Sequence, residues 1–153
     1  MITGGAAFYR KMIMANATFT CWIDHDAQAV WRLLSAFTEI PWMMGMEEVT
    51  VGQHQGHVAR FLHMSGIDPI TEYLLNTDEE NQRLQYGVVK NPFVPVDDYQ
   101  ATIAVSDTEG GSQLTFNSTY QLDGQSEEEL SQMLQGFYQM MATSMDTYLQ
   151  SHQ

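Results

Sequence analysis

Cysteine, cationic side chains and long apolar runs are what this chain has least of. Cys21 is the only cysteine, which excludes an intrachain disulfide and fits a reducing compartment. Six Lys and Arg stand against nineteen Asp and Glu, for a formal charge of −13. Such a surface repels phosphate backbones and anionic lipid heads, and no basic stripe offsets it, so nucleic-acid binding is not expected. No apolar run approaches the length of a membrane span. Arg10 and Lys11 are not followed by a long apolar stretch, so residues 1–15 read as a flexible lead-in and not as a signal peptide. Cytoplasmic residence is the expectation. Proline is scarce, and Pro92 and Pro95 fall in one short stretch, which reads as a loop because two prolines break any ladder.

What remains is an ordinary globular composition, 44% hydrophobic, in a length that suits a single domain over residues 16–153. Seven segments have strand character. They run from Ala17 to Asp24, Glu47 to Gly52, Gly56 to Met64, Ile70 to Asn76, Arg83 to Lys90, Asp98 to Ser106 and Gln113 to Leu122. In the later ones the alternation is regular: Leu84, Tyr86 and Val88 share a face, as do Tyr99, Ala101, Ile103 and Val105, and then Leu114, Phe116, Ser118, Tyr120 and Leu122. After the first strand, Asp24 or Asp26 can cap a helix carrying Ala27, Val30, Trp31, Leu34 and Phe37 at helical spacing. Pro41 ends it, and Ile40-Pro41-Trp42 reads as a turn or second short helix.

Near the C-terminus, Ser126 and Glu129 form a capping box, and a long amphipathic helix follows to about Gln150. Its apolar stripe is Leu130, Met133, Leu134, Phe137, Met140, Met141, Met145, Tyr148 and Leu149. Short consecutive strands with tight turns imply an antiparallel meander. The architecture expected is therefore α+β: a curved, seven-stranded antiparallel sheet wrapped around the long C-terminal helix, with two short helices after the first strand.

Two residues break the pattern. Val58, Arg60, Leu62 and Met64 share one register, and Ile70, Glu72 and Leu74 share another. Arg60 and Glu72 thus put opposite charges on core-facing positions of neighbouring strands. A charge there is costly unless it is paired or faces a wet cavity.

Several segments are similar to those of the START-like, Bet v 1-like (SRPBCC) superfamily, in its polyketide cyclase/dehydrase and lipid-transport branch. They are V30-W-R-L-L-S-A-F37, G56-H-V-A-R60, I70-T-E-Y-L74, Q85-Y-G-V-V89 and V96-D-D-Y-Q-A-T-I103. The order of elements also resembles that superfamily's helix-grip fold, from about Ala17 to the C-terminus. The resemblance implies a deep apolar cavity between sheet and last helix, used as a container for lipids, hormones or polyketides or as a reaction vessel. In plant lachrymatory-factor-synthase-like members an Arg and a Glu on successive strands belong to the reactive pocket. Arg60 and Glu72 match that pair across a shorter connection, and Tyr86 and Tyr99 resemble the aromatic positions after it.

The site expected from these readings has Arg60 and Glu72 as candidate catalytic residues. Leu62, Leu74, Tyr86, Val88, Tyr99, Ala101 and Phe116 are its sheet wall, and Phe137, Met141 and Met145 its helical wall. Trp42, Phe93 and Val94 are placed at the mouth. An Arg can hold a substrate oxygen and stabilise an enolate. A carboxylate can act as acid or base, with burial and an adjacent guanidinium pulling its protonation in opposite directions. Such parts suffice for aldol-type cyclisation, dehydration or isomerisation with no cofactor and no metal. The same Arg–Glu pair also reads as a structural bridge that sets register, around a cavity that only binds. The partner expected is a small hydrophobic or amphipathic molecule (a lipid, a polyketide or similar), and a protein-interaction module with a filled core is a third reading.

Other chemistry is weakly signalled. His54, His57 and His63 follow no metal-ligand spacing, with His57 and His63 facing away from the cavity. His25 and His152 fall at element ends and read as solvated, as does the acidic turn Asp78-Glu79-Glu80. Cys21 has no neighbouring base to activate it. Met133, Met140, Met141 and Met145 suit either core packing or a pliable pocket wall.

Overall fold

The computed structural model describes residues 13–94 and 96–152. The seven strands are β1 (Ile13–Ile23), β2 (Glu48–His54), β3 (His57–His63), β4 (Ile70–Asp78), β5 (Arg83–Val88), β6 (Asp97–Thr108) and β7 (Gly111–Leu122). They form one antiparallel sheet in the order β1-β7-β6-β5-β4-β3-β2. Everything from β2 to β7 is a meander. Only β1 is placed out of sequence, beside β7, and it begins at Ile13, inside the stretch expected as lead-in. The rest of that expected lead-in, residues 1–12, lies outside the described residues.

Among the described residues there are two helices, α1 (Ala27–Ser35) and α2 (Glu127–Ser151). Asp26 caps α1 by accepting the Ala29 N–H at 2.7 Å. The second short helix expected near Pro41 does not form. Residues 36–47 run instead as turns, held by Glu39 N–H to Ala36 C=O and Met43 N–H to Ile40 C=O. Proline at 41 supplies no donor, and the segment is pinned by tertiary contacts to the sheet and not by a ladder of its own.

The alternation in β5, β6 and β7 translates directly into burial, with Leu84, Tyr86, Val88, Tyr99, Ala101, Ile103, Val105, Leu114, Phe116, Tyr120 and Leu122 all inside. Val58 keeps the register of Arg60 and Leu62 but is exposed at the hairpin end of β3. Two irregularities re-aim side chains next to the site. One lies between Leu74 and Asn76 in β4, and the other between Asp97 and Gln100 in β6, where Asp98 adopts a positive φ of 50°. On the outer face, the Tyr73 ring occupies the space a Cβ on Gly87 would need, so β5 is covered there by an aromatic side chain.

Helix α2 is 25 residues, roughly 38 Å, and packs chiefly against β1. Ser126 accepts the Glu129 N–H at 3.3 Å, and Glu127, Glu128 and Glu129 sit at its positive end. Its buried row is Leu130, Leu134, Tyr138, Ala142 and Met145, whereas Met133 and Met140 are exposed. His25, expected in solvent, is instead tucked against α2, its Nε2 3.2 Å from Asp146 Oδ1. Glu79, in the acidic turn, accepts the Trp31 Nε1–H at 2.7 Å and ties α1 to the β4–β5 hairpin.

Candidate functional site

Between the concave face of the sheet, α2 and the connections 43–46 and 91–96 lies a cavity of about 350 Å³. That is within the size range of small-molecule sites. Its floor comes from β3, β4, β5 and β6 through Leu62, Ile70, Glu72, Tyr86, Val88 and Tyr99. Helix α2 supplies Leu134, Phe137, Tyr138, Met140, Met141 and Ser144. Met43, Met44, Met46, Met64, Asn91, Phe93, Val94 and Val96 complete it. Met44, Met140 and Phe93 are 66%, 61% and 40% exposed, so the cavity meets solvent at these three. Phe93 and Phe137 pack with ring centroids 5.9 Å apart across the opening.

Arg60 and Glu72 are direct cross-strand neighbours on β3 and β4. The guanidinium places Nε 2.8 Å and Nη2 2.7 Å from the same carboxylate oxygen, Oε1. Its Nη1 donates to the Phe37 carbonyl at 2.8 Å, and its plane lies over the Phe37 ring at 4.0 Å. Arg60 is therefore consumed by Glu72, the Phe37 carbonyl and the Phe37 ring, and it does not line the cavity. Glu72 does. Its second oxygen, Oε2, accepts no hydrogen bond from the described residues. The pair is asymmetric: both guanidinium donors fall on Oε1, and none falls on Oε2.

Three phenols, Tyr86, Tyr99 and Tyr138, line the same cavity as Glu72. Tyr99 and Tyr138 share a hydrogen bond of 2.6 Å between their hydroxyls, and Tyr138 stacks on Phe116 at 4.6 Å. Burial pushes the Tyr86 and Tyr99 phenols well above the usual 10.0. The negative charge of Glu72 adds to the effect at Tyr86, and the neighbouring phenols add at Tyr99. Burial also raises Tyr138. Since these folded-state values exceed the unfolded one, the stability they carry is complete below pH 10 and is lost as pH rises beyond it towards the folded values. The expected result is alkaline unfolding in which these phenols ionise together with loss of structure. Absorbance at 295 nm and circular dichroism should change together for them, and all seven tyrosines titrating near pH 10 with structure retained would contradict this.

Of the expected pocket residues, Leu62, Glu72, Tyr86, Val88, Phe93, Val94, Tyr99, Phe137 and Met141 line the cavity, with Phe93 exposed at its mouth and Val94 buried within it. Arg60, Leu74, Ala101, Phe116 and Met145 do not. Leu74 is half-buried next to the β4 irregularity, and Ala101, Phe116 and Met145 lie deeper in the core. Trp42 is no gate: it is 2% exposed and packed in the core. Tyr138, Ser144 and the run Met43 to Met46 were not foreseen. Tyr138 is one position off the apolar stripe read from the sequence, though it is i+4 from Leu134, a signal that was available. No Lys, Arg or His among the described residues lines the cavity. Nor do three or more His, Cys, Asp or Glu among them group as a metal would require.

Comparison with known proteins agrees with this architecture. Among solved structures, the chain is similar to the protein XoxI from Bacillus cereus, at 24% identity and a TM-score of 0.72 over 88% of this chain and 94% of that one. An uncharacterised protein from Bacillus thuringiensis shares 22% identity, with a TM-score of 0.73 over 88% of this chain and 98% of that one. Norcoclaurine synthase from Thalictrum flavum, in complex with dopamine and hydroxybenzaldehyde, shares 15% identity, with a TM-score of 0.71 over 93% and 90%. At these identities the likenesses speak for the fold alone. No curated protein matches significantly. The family described as polyketide cyclase / dehydrase and lipid transport matches over residues 14–150, almost the whole of the described sheet and both helices. A sheet gripping one long helix around an apolar cavity is the ligand-binding fold of that superfamily, and this chain belongs to the polyketide cyclase/dehydrase and lipid transport family.

Proposed function

We propose that this protein binds a small, neutral, largely apolar molecule that carries a hydroxyl or amine donor. The observation that carries this reading is Glu72, whose Oε2 accepts no hydrogen bond from the described residues, in a largely apolar cavity of about 350 Å³. Such a cavity takes hydrocarbon or aromatic bodies by the hydrophobic effect. The buried acceptor then rewards a donor and penalises its absence. A free carboxylate or phosphate suits the site poorly, because Glu72 is there and no cation among the described residues lines the wall. The volume also speaks against a filled core, and so against a purely protein-interaction role.

A matched ligand pair tests this without altering the protein. 1-Naphthol and 1-methoxynaphthalene differ in the donor, and naphthol is expected to bind at least about tenfold tighter by titration calorimetry. Equal affinities would remove Glu72 as the reader of the ligand. Binding of neither would remove the cavity reading.

The same oxygen favours a second reading, cofactor-free cyclisation, dehydration or isomerisation. Glu72 Oε2 would take or return a proton, and the Tyr99–Tyr138 pair would orient a substrate oxygen. Arg60 would hold Glu72 in place and not touch the substrate. Turnover that vanishes in Glu72→Gln while ligand affinity persists would select this reading.

A further inference from the structure

We propose that Met44 and Met140 form an oxidation-sensitive rim, at which conversion of the thioethers to sulfoxides by a peroxide closes the cavity to apolar ligands. The inference rests on the cavity-binding reading above and adds a modification site to it.

Eleven methionines are present in the chain, and six of them line this one cavity: Met43, Met44, Met46, Met64, Met140 and Met141. The distribution concentrates oxidisable sulfur where a ligand must pass. Met44 and Met140 are the most exposed of the six, at 66% and 61%. They come from different parts of the chain, the connection before β2 and helix α2. Both therefore meet solvent and the cavity at once. A thioether needs no deprotonation to react, so exposure decides which methionine is attacked. The competing sulfur is a poor target: Cys21 is half-buried, and burial pushes its thiol up to about 11, which leaves little thiolate.

The step balances without help from the protein. A hydroperoxide transfers its terminal oxygen to the methionine sulfur, the O–O bond breaks, and an S–O bond forms. Hydrogen peroxide departs as water. Sulfur loses two electrons and the peroxide gains them. The product is polar and accepts hydrogen bonds, so a dehydrated contact with an apolar ligand becomes unfavourable. Reduction by methionine sulfoxide reductases, one for each sulfoxide epimer, restores the thioether.

The molecule supplies its own controls. Met14 and Met133 are 60% and 44% exposed but lie off the cavity, and Met145 is fully buried. The experiment treats the full chain with hydrogen peroxide and maps sulfoxides by peptide mass spectrometry. Binding of the neutral arylamine N-phenyl-1-naphthylamine is then titrated by fluorescence. Met14, Met44, Met133 and Met140 are expected to oxidise while Met145 stays intact. Probe affinity should fall at least about tenfold and recover after treatment with both reductases. Each variant is compared with its own untreated form: Met44→Leu/Met140→Leu should lose less than about twofold, and Met14→Leu/Met133→Leu should lose as much as the unaltered chain. Unchanged affinity after oxidation of Met44 and Met140 overturns the rim while leaving the cavity reading standing. Failure of the untreated chain to bind the probe overturns both. A loss that persists in Met44→Leu/Met140→Leu, or that comes with oxidation of Met145 and a collapsed near-ultraviolet dichroism spectrum, assigns the effect elsewhere and also overturns it.

Discussion

Replacing Arg60 with leucine is expected to destabilise the fold by about 3–5 kcal/mol, with a fall in Tm on the order of 10 °C. Arg60 is 3% exposed and Glu72 9% exposed, so the variant leaves a buried carboxylate without its counter-charge. The two donors that meet Glu72 Oε1 vanish together with the one that satisfies the Phe37 carbonyl. The stacking over Phe37 goes as well. Arg60→Lys should fall between, since one ammonium cannot serve Glu72 and the Phe37 carbonyl while also lying over a ring. The informative companion is the double variant Arg60→Leu/Glu72→Leu. Removing both charges removes the uncompensated one, so most of the loss should return, short of about 1 kcal/mol for the Phe37 carbonyl. Denaturant unfolding of the three variants measures this. If Arg60→Leu stays within about 1 kcal/mol of the unaltered chain, the pair is not what closes this end of the sheet.

Phe116→Ala is expected to cost about 3–5 kcal/mol and to weaken ligand binding as well. Phe116 is fully buried on β7, stacked on Tyr138 with ring centroids 4.6 Å apart and an interplanar angle of 7°. Phe19 packs against both rings, at 6.3 Å from Phe116 and 6.4 Å from Tyr138. Truncation opens a void directly behind Tyr138, which lines the cavity and shares its hydroxyl with Tyr99. With that support gone, Tyr138 can lean away and the hydroxyl pair loosens. Phe116→Leu keeps most of the volume and should cost less than about 1.5 kcal/mol. Chemical denaturation and titration with the naphthalene probes check both effects. A Phe116→Ala variant with near-normal stability, or with normal affinity despite lost stability, would show that Tyr138 is held by other contacts.

The sheet was legible in the sequence wherever its period of two was clean. In β6 and β7 each inward position from Tyr99 to Val105, and from Leu114 to Leu122, is apolar or small, and the outward ones are polar apart from Ala104. The helix was legible in extent but not in facing. Its apolar residues fall into two adjacent rows, Leu130-Leu134-Tyr138-Ala142-Met145 against the core and Met133-Phe137-Met140 towards the opening or solvent. A stripe that serves both a core and a cavity is wider than the core alone, so hydropathy could not say which edge was which. Glu72 stood out because a charge in an apolar register is costly, and that cost is visible without coordinates.

Alone, the sequence determined the seven strands, their alternating faces, the capped C-terminal helix and the neighbouring positions of Arg60 and Glu72. Each follows from local chemistry: side-chain period, turn residues, a serine cap and short connections. The tertiary structure decided which of the two charges faces the cavity. That depends on the Phe37 carbonyl, 23 residues before Arg60, arriving over β3 and taking a guanidinium donor. It also decided that Trp42 is core, that Tyr138 joins Tyr99, and that six methionines surround one space. These are contacts between segments distant in the chain, and their geometry is set by how the 36–47 connection and α2 close over the sheet, which no local pattern encodes.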